Sequence, residues 1–251
     1  MTNRNMNALD MTDVMVQFGE TVVLENVTAS LAAGTLVGVV GPNGAGKSTL
    51  FNAIAGLAHL QKGKVLIYGS APDKARGRLA YVPQKEDINW RFPLTAREVV
   101  MLGRVHKSRR LKESNSNDRN LVDESLHRIG MWEKRNNLVS ELSGGQRQRV
   151  FVARALAQEA DILMLDEAFS GVDFASQEAL VAALRELRDE GKTIMLATHD
   201  LTRLSERFDT VLCINRHVCA VGPPDTAFTP EVLEELYGAH GVAFAEGGHI
   251  H

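Results

Sequence analysis

The chain has 251 residues, 44% of them hydrophobic, enough for one compact unit with a sizeable core in one lobe or two. No apolar run approaches the ~20 residues a transmembrane helix needs, and Met1–Asn7 is polar rather than signal-like, so the expectation is a chain kept in the cytosol without a membrane domain of its own. A net charge of −3 gives no general nucleic-acid footprint.

Residues 9–40 read as short alternating strands, with Val14, Val16 and Phe18 spaced as on a half-buried strand. The run Leu36-Val37-Gly38-Val39-Val40 is apolar throughout, as suits a parallel strand covered on both faces. It leads into Gly41-Pro42-Asn43-Gly44-Ala45-Gly46-Lys47-Ser48-Thr49, which fits the P-loop pattern. Glycines let the backbone turn tightly enough for successive N–H groups to face an anion, and a helix starting near Lys47 adds its positive dipole end. Lys47 then reaches the β- and γ-phosphates of a nucleotide, and the Ser48 hydroxyl is placed for Mg2+. The helix runs to about Leu57; strands follow at Val65–Tyr68 and Leu79–Val82.

After Gln84 the character becomes helical. Thr95 and Glu98 form a capping box opening a helix through about Gly103, and Val122, Leu126 and Ile129 make a helical stripe closed by Gly130. Between them, Arg104–Asn120 is rich in Lys, Arg, Ser and Asn and reads as an exposed connection. Its Arg104–Lys112 part is either a plain solvated loop or a stretch lying near anionic headgroups. The segment Ile88–Leu94 carries Trp90 and Phe92, which either dock a partner or pack the lobe's own core.

Ser143 and Gln146 repeat the capping-box spacing ahead of a helix through Val150, Val152, Ala153 and Leu156. Gly144 and Gly145 in its first turn each cost roughly 1 kcal/mol against alanine, a cost explained by backbone N–H groups approaching an anion. An apolar run Ile162–Leu165 ends in two carboxylates, Asp166 and Glu167, and a second, Thr193–Thr198, ends at His199, where open α/β sheets collect ligand groups. A helix over roughly 175–190 separates them and stops at Gly191. Cys213 and Cys219 flank Asn215-Arg216-His217 symmetrically, so in a hairpin they face each other across strands; a disulfide is geometrically conceivable there, and reduced core thiols are the expectation for a cytosolic protein. A last helix has Thr229 as cap and Pro230 in its first turn, before a solvated tail with His249 and His251.

Leu142-Ser143-Gly144-Gly145-Gln146 resembles the signature motif of ATP-binding cassette proteins, and the rest of that family's set follows in order. Gln84, in Tyr81-Val82-Pro83-Gln84, matches its Q-loop; Ile162–Glu167 its Walker B strand; Ser170-Gly171-Val172-Asp173 is similar to its D-loop; His199 sits where its switch histidine does. The likeness spans roughly residues 10 to 240. Two positions depart: Ala168 stands where the family usually has proline, and Phe18 where it commonly has an adenine-stacking tyrosine, a role that survives loss of the hydroxyl.

The resemblance implies an α/β fold: a P-loop NTPase core sheet with an antiparallel β subdomain and an inserted α-helical subdomain. The domain covers 9–240, with the β core in 9–84 and 160–240, the helices in about 85–159 and a tail at 241–251. It implies ATP and Mg2+ as ligands. Lys47 and the loop from Gly41 to Thr49 hold the phosphates, Ser48, Gln84 and Asp166 the Mg2+, Glu167 the attacking water, and His199 the γ-phosphate. In the family two cassettes pack head-to-tail, so Ser143, Gly144, Gly145 and Gln146 serve the ATP of a second copy while Asp173 crosses the interface.

The other implied partners are membrane permease chains and, through them, an extracytoplasmic solute-binding protein, which puts this chain at the cytoplasmic face of a bacterial membrane. Residues 81–104, Asn215-Arg216 and the Gly222-Pro223-Pro224 turn are similar to cassettes of manganese, zinc and iron importers. The rivals are a siderophore or haem importer and, in another class, a soluble cassette ATPase working on nucleic acid or ribosomes. That class usually shows two cassettes per chain, a long coiled coil or an inserted metal site, none of which stands in this sequence.

Overall fold

A computed structural model describes residues 7–84, 93–105, 116–166, 174–199, 201 and 203–238. The first third of the chain builds a small antiparallel sheet. Strands β1 (Asn7–Phe18) and β2 (Thr21–Ala32) are twelve residues each, longer than the short strands read from the sequence, because register shifts along their ladder let a single strand bend where the hydrophobic alternation breaks. After β3 (Leu36–Val40) and α1 (Lys47–Ile54), strand β4 (Lys62–Ile67) returns to pair with β1, giving the order β2-β1-β4.

The main sheet begins with β3 and grows by crossovers. Strand β5 (Leu79–Val82) leads to the helices α2 (Ala96–Met101), α3 (Ser116–Arg128) and α4 (Gly144–Ala157). The chain re-enters the sheet as β6 (Ile162–Asp166), leaves through α5 (Phe174–Asp189), and returns as β7 (Thr193–Thr198). A short α6 (Leu204–Arg207) precedes the hairpin β8 (Thr210–Asn215) and β9 (His217–Gly222), and α7 (Pro224–Ala227) and α8 (Pro230–Tyr237) complete the described chain. The strand order is β5-β6-β7-β3-β8-β9, parallel except for the last, antiparallel edge.

Alternation on the parallel strands divides the interior in two. Leu36, Val40, Leu163, Leu165, Ile194 and Leu196 face a core shared with α2, α3 and α4, whereas Val37, Val39, Ile162, Met164, Met195 and Ala197 face one shared with α1 and the antiparallel sheet. Both faces are covered, so the strands can be apolar at every position. The helices are therefore an inserted α-helical subdomain on one face and the β2-β1-β4 sheet an antiparallel subdomain on the other.

Caps set the helix ends where the sequence places them. Thr95 and Glu98 close a full capping box on α2, and Thr229 Oγ1 accepts from the Val232 amide at the start of α8. Two readings are corrected. Arg104–Asn120 is not an exposed connection throughout: Ser116–Asn120 is the first part of α3, and Arg104 is buried on Asp118, because one ion pair satisfies both charges away from water. Residues 106–115 lie outside the described residues. Cys213 and Cys219 do not face each other either, since a bulge in the β8–β9 ladder pairs Cys213 with Ala220 and Ile214 with Val218; both thiols are free.

Candidate functional site

Backbone geometry prepares the loop between β3 and α1 for an anion. Gly46, which caps α1, takes φ 98°, a left-handed conformation that strains any side chain. At Gly41 the reason is proximity: a Cβ there would stand 2.1 Å from the Ile214 carbonyl oxygen of β8. The first amides of α1 are left without intrahelical acceptors and carry the positive end of the helix dipole. Lys47 is buried, and its ammonium donates to the Gly41 oxygen at 2.7 Å and the Pro42 oxygen at 2.9 Å, which holds the charge across the loop.

The β8–β9 hairpin braces this loop. The Arg216 amide donates to the Ala45 oxygen at 2.9 Å, and the Arg216 oxygen accepts from the Glu25 amide at 2.9 Å. Arg216 itself takes φ 65°. The sequence marks Arg216 only through its place at a hairpin turn and the likeness of Asn215-Arg216 to importer cassettes, neither of which points to the P-loop.

Residues 43–49 line an open cavity of ≈ 450 Å3 together with Val23, Gln84 and His199. That volume suits a small-molecule ligand. Strand register brings the rest of the machinery to the same edge: Val40 of β3 is level with Thr198 of β7, and Ala197 with Asp166 of β6. His199 follows directly and is exposed, while Asp166 is buried. The carboxyl ends of these strands are where open α/β sheets bind ligands.

Tyr81, in the sequence merely a flank of Gln84, gains a role from strand pairing. Its hydroxyl lies 3.4 Å from Asp166 Oδ2, and its ring meets Phe51 of α1 edge-on, centroids 6.0 Å apart. Burial, and then the charge of Asp166, push the phenol above its ordinary range, so it stays protonated and donates to the carboxylate. Tyr81 thus links the Asp166 carboxylate to the helix that follows the loop.

The second anion-binding candidate stands apart. Ser143 and Gln146 form the expected capping box, with the Gln146 amide 3.3 Å from Ser143 Oγ and the Ser143 amide 3.1 Å from Gln146 Oε1. Neither these two nor Gly144 or Gly145 line the cavity around Lys47. A Cβ at Gly144 would meet nothing within 4 Å, so internal packing does not call for glycine there. Phe18 is 57% exposed, which removes the core reading: the β1–β2 ladder slips between Val16 and Gln17 and turns the ring outward. It is not among the residues lining the cavity. Glu167, Ala168, Ser170, Asp173, Trp90, Phe92, His249 and His251 lie outside the described residues.

Clustered backbone N–H donors, a lysine ammonium, a histidine, and hydroxyl, amide and carboxylate oxygens at one sheet edge can bind a polyphosphate and neutralise its charge.

The sequence profile of the ABC transporter family matches residues 24–170, which span both the Lys47 loop and Ser143–Gln146. The chain is 43% identical over 223 residues to the manganese transport system ATP-binding protein MntB of Halalkalibacterium halodurans, covering 89% of each. It is 40% identical over 231 residues to the zinc transport system ATP-binding protein TroB of Treponema pallidum, covering 92% of this chain and 87% of that one. Its fold matches an ATP-binding cassette of an ABC transporter in its ADP conformation, with a TM-score of 0.78, 22% identity, and coverage of 97% and 100%. Likeness in sequence and likeness in fold coincide on the elements that carry the nucleotide loop, and the chain belongs to the ABC transporter family as a cassette that binds and hydrolyses ATP.

Proposed function

We propose that this cassette powers import of a divalent transition metal, manganese or zinc in the first place, from the cytoplasmic face of a bacterial membrane. The observation that carries the ATPase mechanism is the single cavity shared by residues 43–49, Gln84 and His199. The metal rests on the relatives, which are named for manganese and zinc transport and lie at 43% and 40% identity. Among the described residues no helix is long and apolar enough to cross a membrane; in this reading the pore belongs to separate permease chains, fed by an extracytoplasmic solute-binding protein.

In this reading the amides of Gly41 to Thr49 and the Lys47 ammonium take the β- and γ-phosphates, and the exposed Phe18 ring stacks on adenine. Pro42, Asn43, Gly44, Ala45 and Gly46 shape the cradle. Ser48, Gln84 and Asp166 are the oxygen donors suited to Mg2+, which would offset the charge of the two phosphates. Glu167 polarises the attacking water and His199 contacts the γ-phosphoryl group. Among the described residues that line the cavity, none comes from Ser143–Gln146 of the same chain. The open surface at Gly144 supports a role for that segment in trans: Ser143–Gln146 of each copy caps the ATP held by the other, with Asp173 at the seam. ATP binding then closes the dimer and hydrolysis releases it.

The substrate is tested in cells. A strain without this chain should hold less manganese or zinc than its parent in chelator-treated medium, measured by inductively coupled plasma spectrometry, and regain growth with that metal. Unchanged metal content together with lost uptake of a siderophore would move the chain to another importer while leaving the ATPase assignment intact.

A further inference from the structure

Away from the nucleotide cavity, three donors of different chemistry meet at the edge of the main sheet. His217 and Cys219 are two residues apart on β9, and Glu235 comes from α8. One ligand atom from each lies within 4.8 Å of the other two. His217 Nε2 is 2.6 Å from Glu235 Oε1, with the two side chains 47% and 43% exposed.

The fold assembles this group by specific means. The bulge leaves Cys219 without a ladder partner on β8, and its Sγ lies 3.9 Å from the His217 carbonyl oxygen, which keeps the thiol beside His217. The bulge opposite Cys213 takes Cys219 out of register with that residue, so the two thiols are not a cross-strand pair. Asn215 Nδ2 donates to the Glu235 backbone oxygen at 3.0 Å, which holds α8 against the hairpin.

We infer that His217, Cys219 and Glu235 are a binding site for one zinc-class divalent ion. Zinc bonds of about 2.0–2.3 Å at tetrahedral angles place donors about 3.3–3.8 Å apart, so the observed spread closes with side-chain movements on the order of 1 Å. Imidazole, thiolate and carboxylate make three protein ligands, and the exposure of the group leaves a fourth position to water. The thiolate selects against Mg2+, Ca2+ and Mn2+, which favour all-oxygen surroundings. The site thus separates zinc from the Mg2+ that accompanies ATP. It stands one residue from Arg216, the turn residue bonded to Ala45, and so adjoins the brace of the P-loop. The inference does not depend on which solute the transporter carries.

The test uses the full chain, metal-free, reduced and without nucleotide, titrated with Co2+ and then with Zn2+. A thiolate-to-cobalt charge-transfer band should appear, saturate at one ion per chain and vanish as Zn2+ displaces the cobalt. Cys219→Ser should abolish the band, Cys213→Ser should keep it, and His217→Gln or Glu235→Gln should weaken binding roughly tenfold or more. Zn2+ should raise the unfolding temperature of the parent chain but not of Cys219→Ser, since a ligand that binds only the folded state stabilises it. Absence of the band in the parent chain, its survival in Cys219→Ser, or equal affinity in all variants would overturn the assignment. Cobalt held elsewhere by histidines alone gives no thiolate band.

Discussion

Arg104 Nε stands 2.8 Å from Asp118 Oδ1, with the two side chains only 6% and 7% exposed. The same guanidinium donates to the Ala157 oxygen at 2.7 Å and to Glu159 Oε2 at 2.8 Å. The end of the α2 segment, the first turn of α3 and the end of α4 are therefore tied at one point inside the helical subdomain. Removing one partner would leave the other's charge buried, and such losses typically cost about 3–5 kcal/mol.

Arg104→Ala should lower stability by about that amount, read as an earlier urea-unfolding midpoint. Lys62→Ala breaks a pair of similar length, 2.7 Å to Asp13, whose side chains are 63% and 39% exposed. It should cost no more than about 1 kcal/mol, because solvent screens an exposed pair. Equal, small losses in both variants would mean that the Arg104 cluster is open to water in solution.

Acid should weaken the cap of α2. Hydrogen bonds from the Thr95 amide and hydroxyl hold the Glu98 carboxyl below its ordinary range. A group whose folded pKa is lowered contributes stability above its unfolded value of about 4.3 and loses it as pH falls through the folded value. Glu98→Gln should thus be less stable than the parent at pH 7, with the gap shrinking in acid. A thermal-unfolding gap that stays constant between neutral and acidic pH would show that the charge is not what caps this helix.

Turnover tests the role proposed for Glu167. Glu167→Gln should keep ATP binding and lose about 10²–10⁴ in hydrolysis rate, the range for removing a general base. ATP-bound dimers should then accumulate on gel filtration. Parental ATPase rates in this variant would assign the water to another residue.

The trans arrangement is tested by mixing. Lys47→Ala chains have a damaged P-loop and Ser143→Arg chains a damaged capping segment, so under the proposed arrangement their heterodimer would contain one composite site intact at both ends and one damaged at both. ATP should drive heterodimer formation, measured by energy transfer between labelled chains, well beyond either variant alone. Association that ignores ATP and is equal in all three samples would reduce Ser143–Gln146 to a helix cap.

Local chemistry was readable before any folding. Thr95–Glu98 and Ser143–Gln146 are capping boxes because their partners lie three residues apart, and Gly41–Thr49 reads as a phosphate loop because three glycines and Lys47 fall within seven residues of one another. The apolar strands Leu36–Val40, Ile162–Asp166 and Thr193–Thr198 declared themselves because both of their faces are covered. What escaped depends on pairing between distant segments. Tyr81 reaches Asp166 only because β5 lies beside β6, and Arg216 braces Ala45 only because β8 lies beside β3. Arg104 reads as a surface residue until α3 and α4 bring Asp118 and Glu159 to it. A single bulge decides that Cys219 is out of register with Cys213, because one added residue in a ladder of period two reassigns every facing pair beyond it. Short-range hydrogen bonds and hydrophobic period are written in neighbouring residues, so the sequence alone determined the elements and the motifs. Strand order, register and the burial of charge follow from the free energy of the whole packed interior, and those only the tertiary structure could decide.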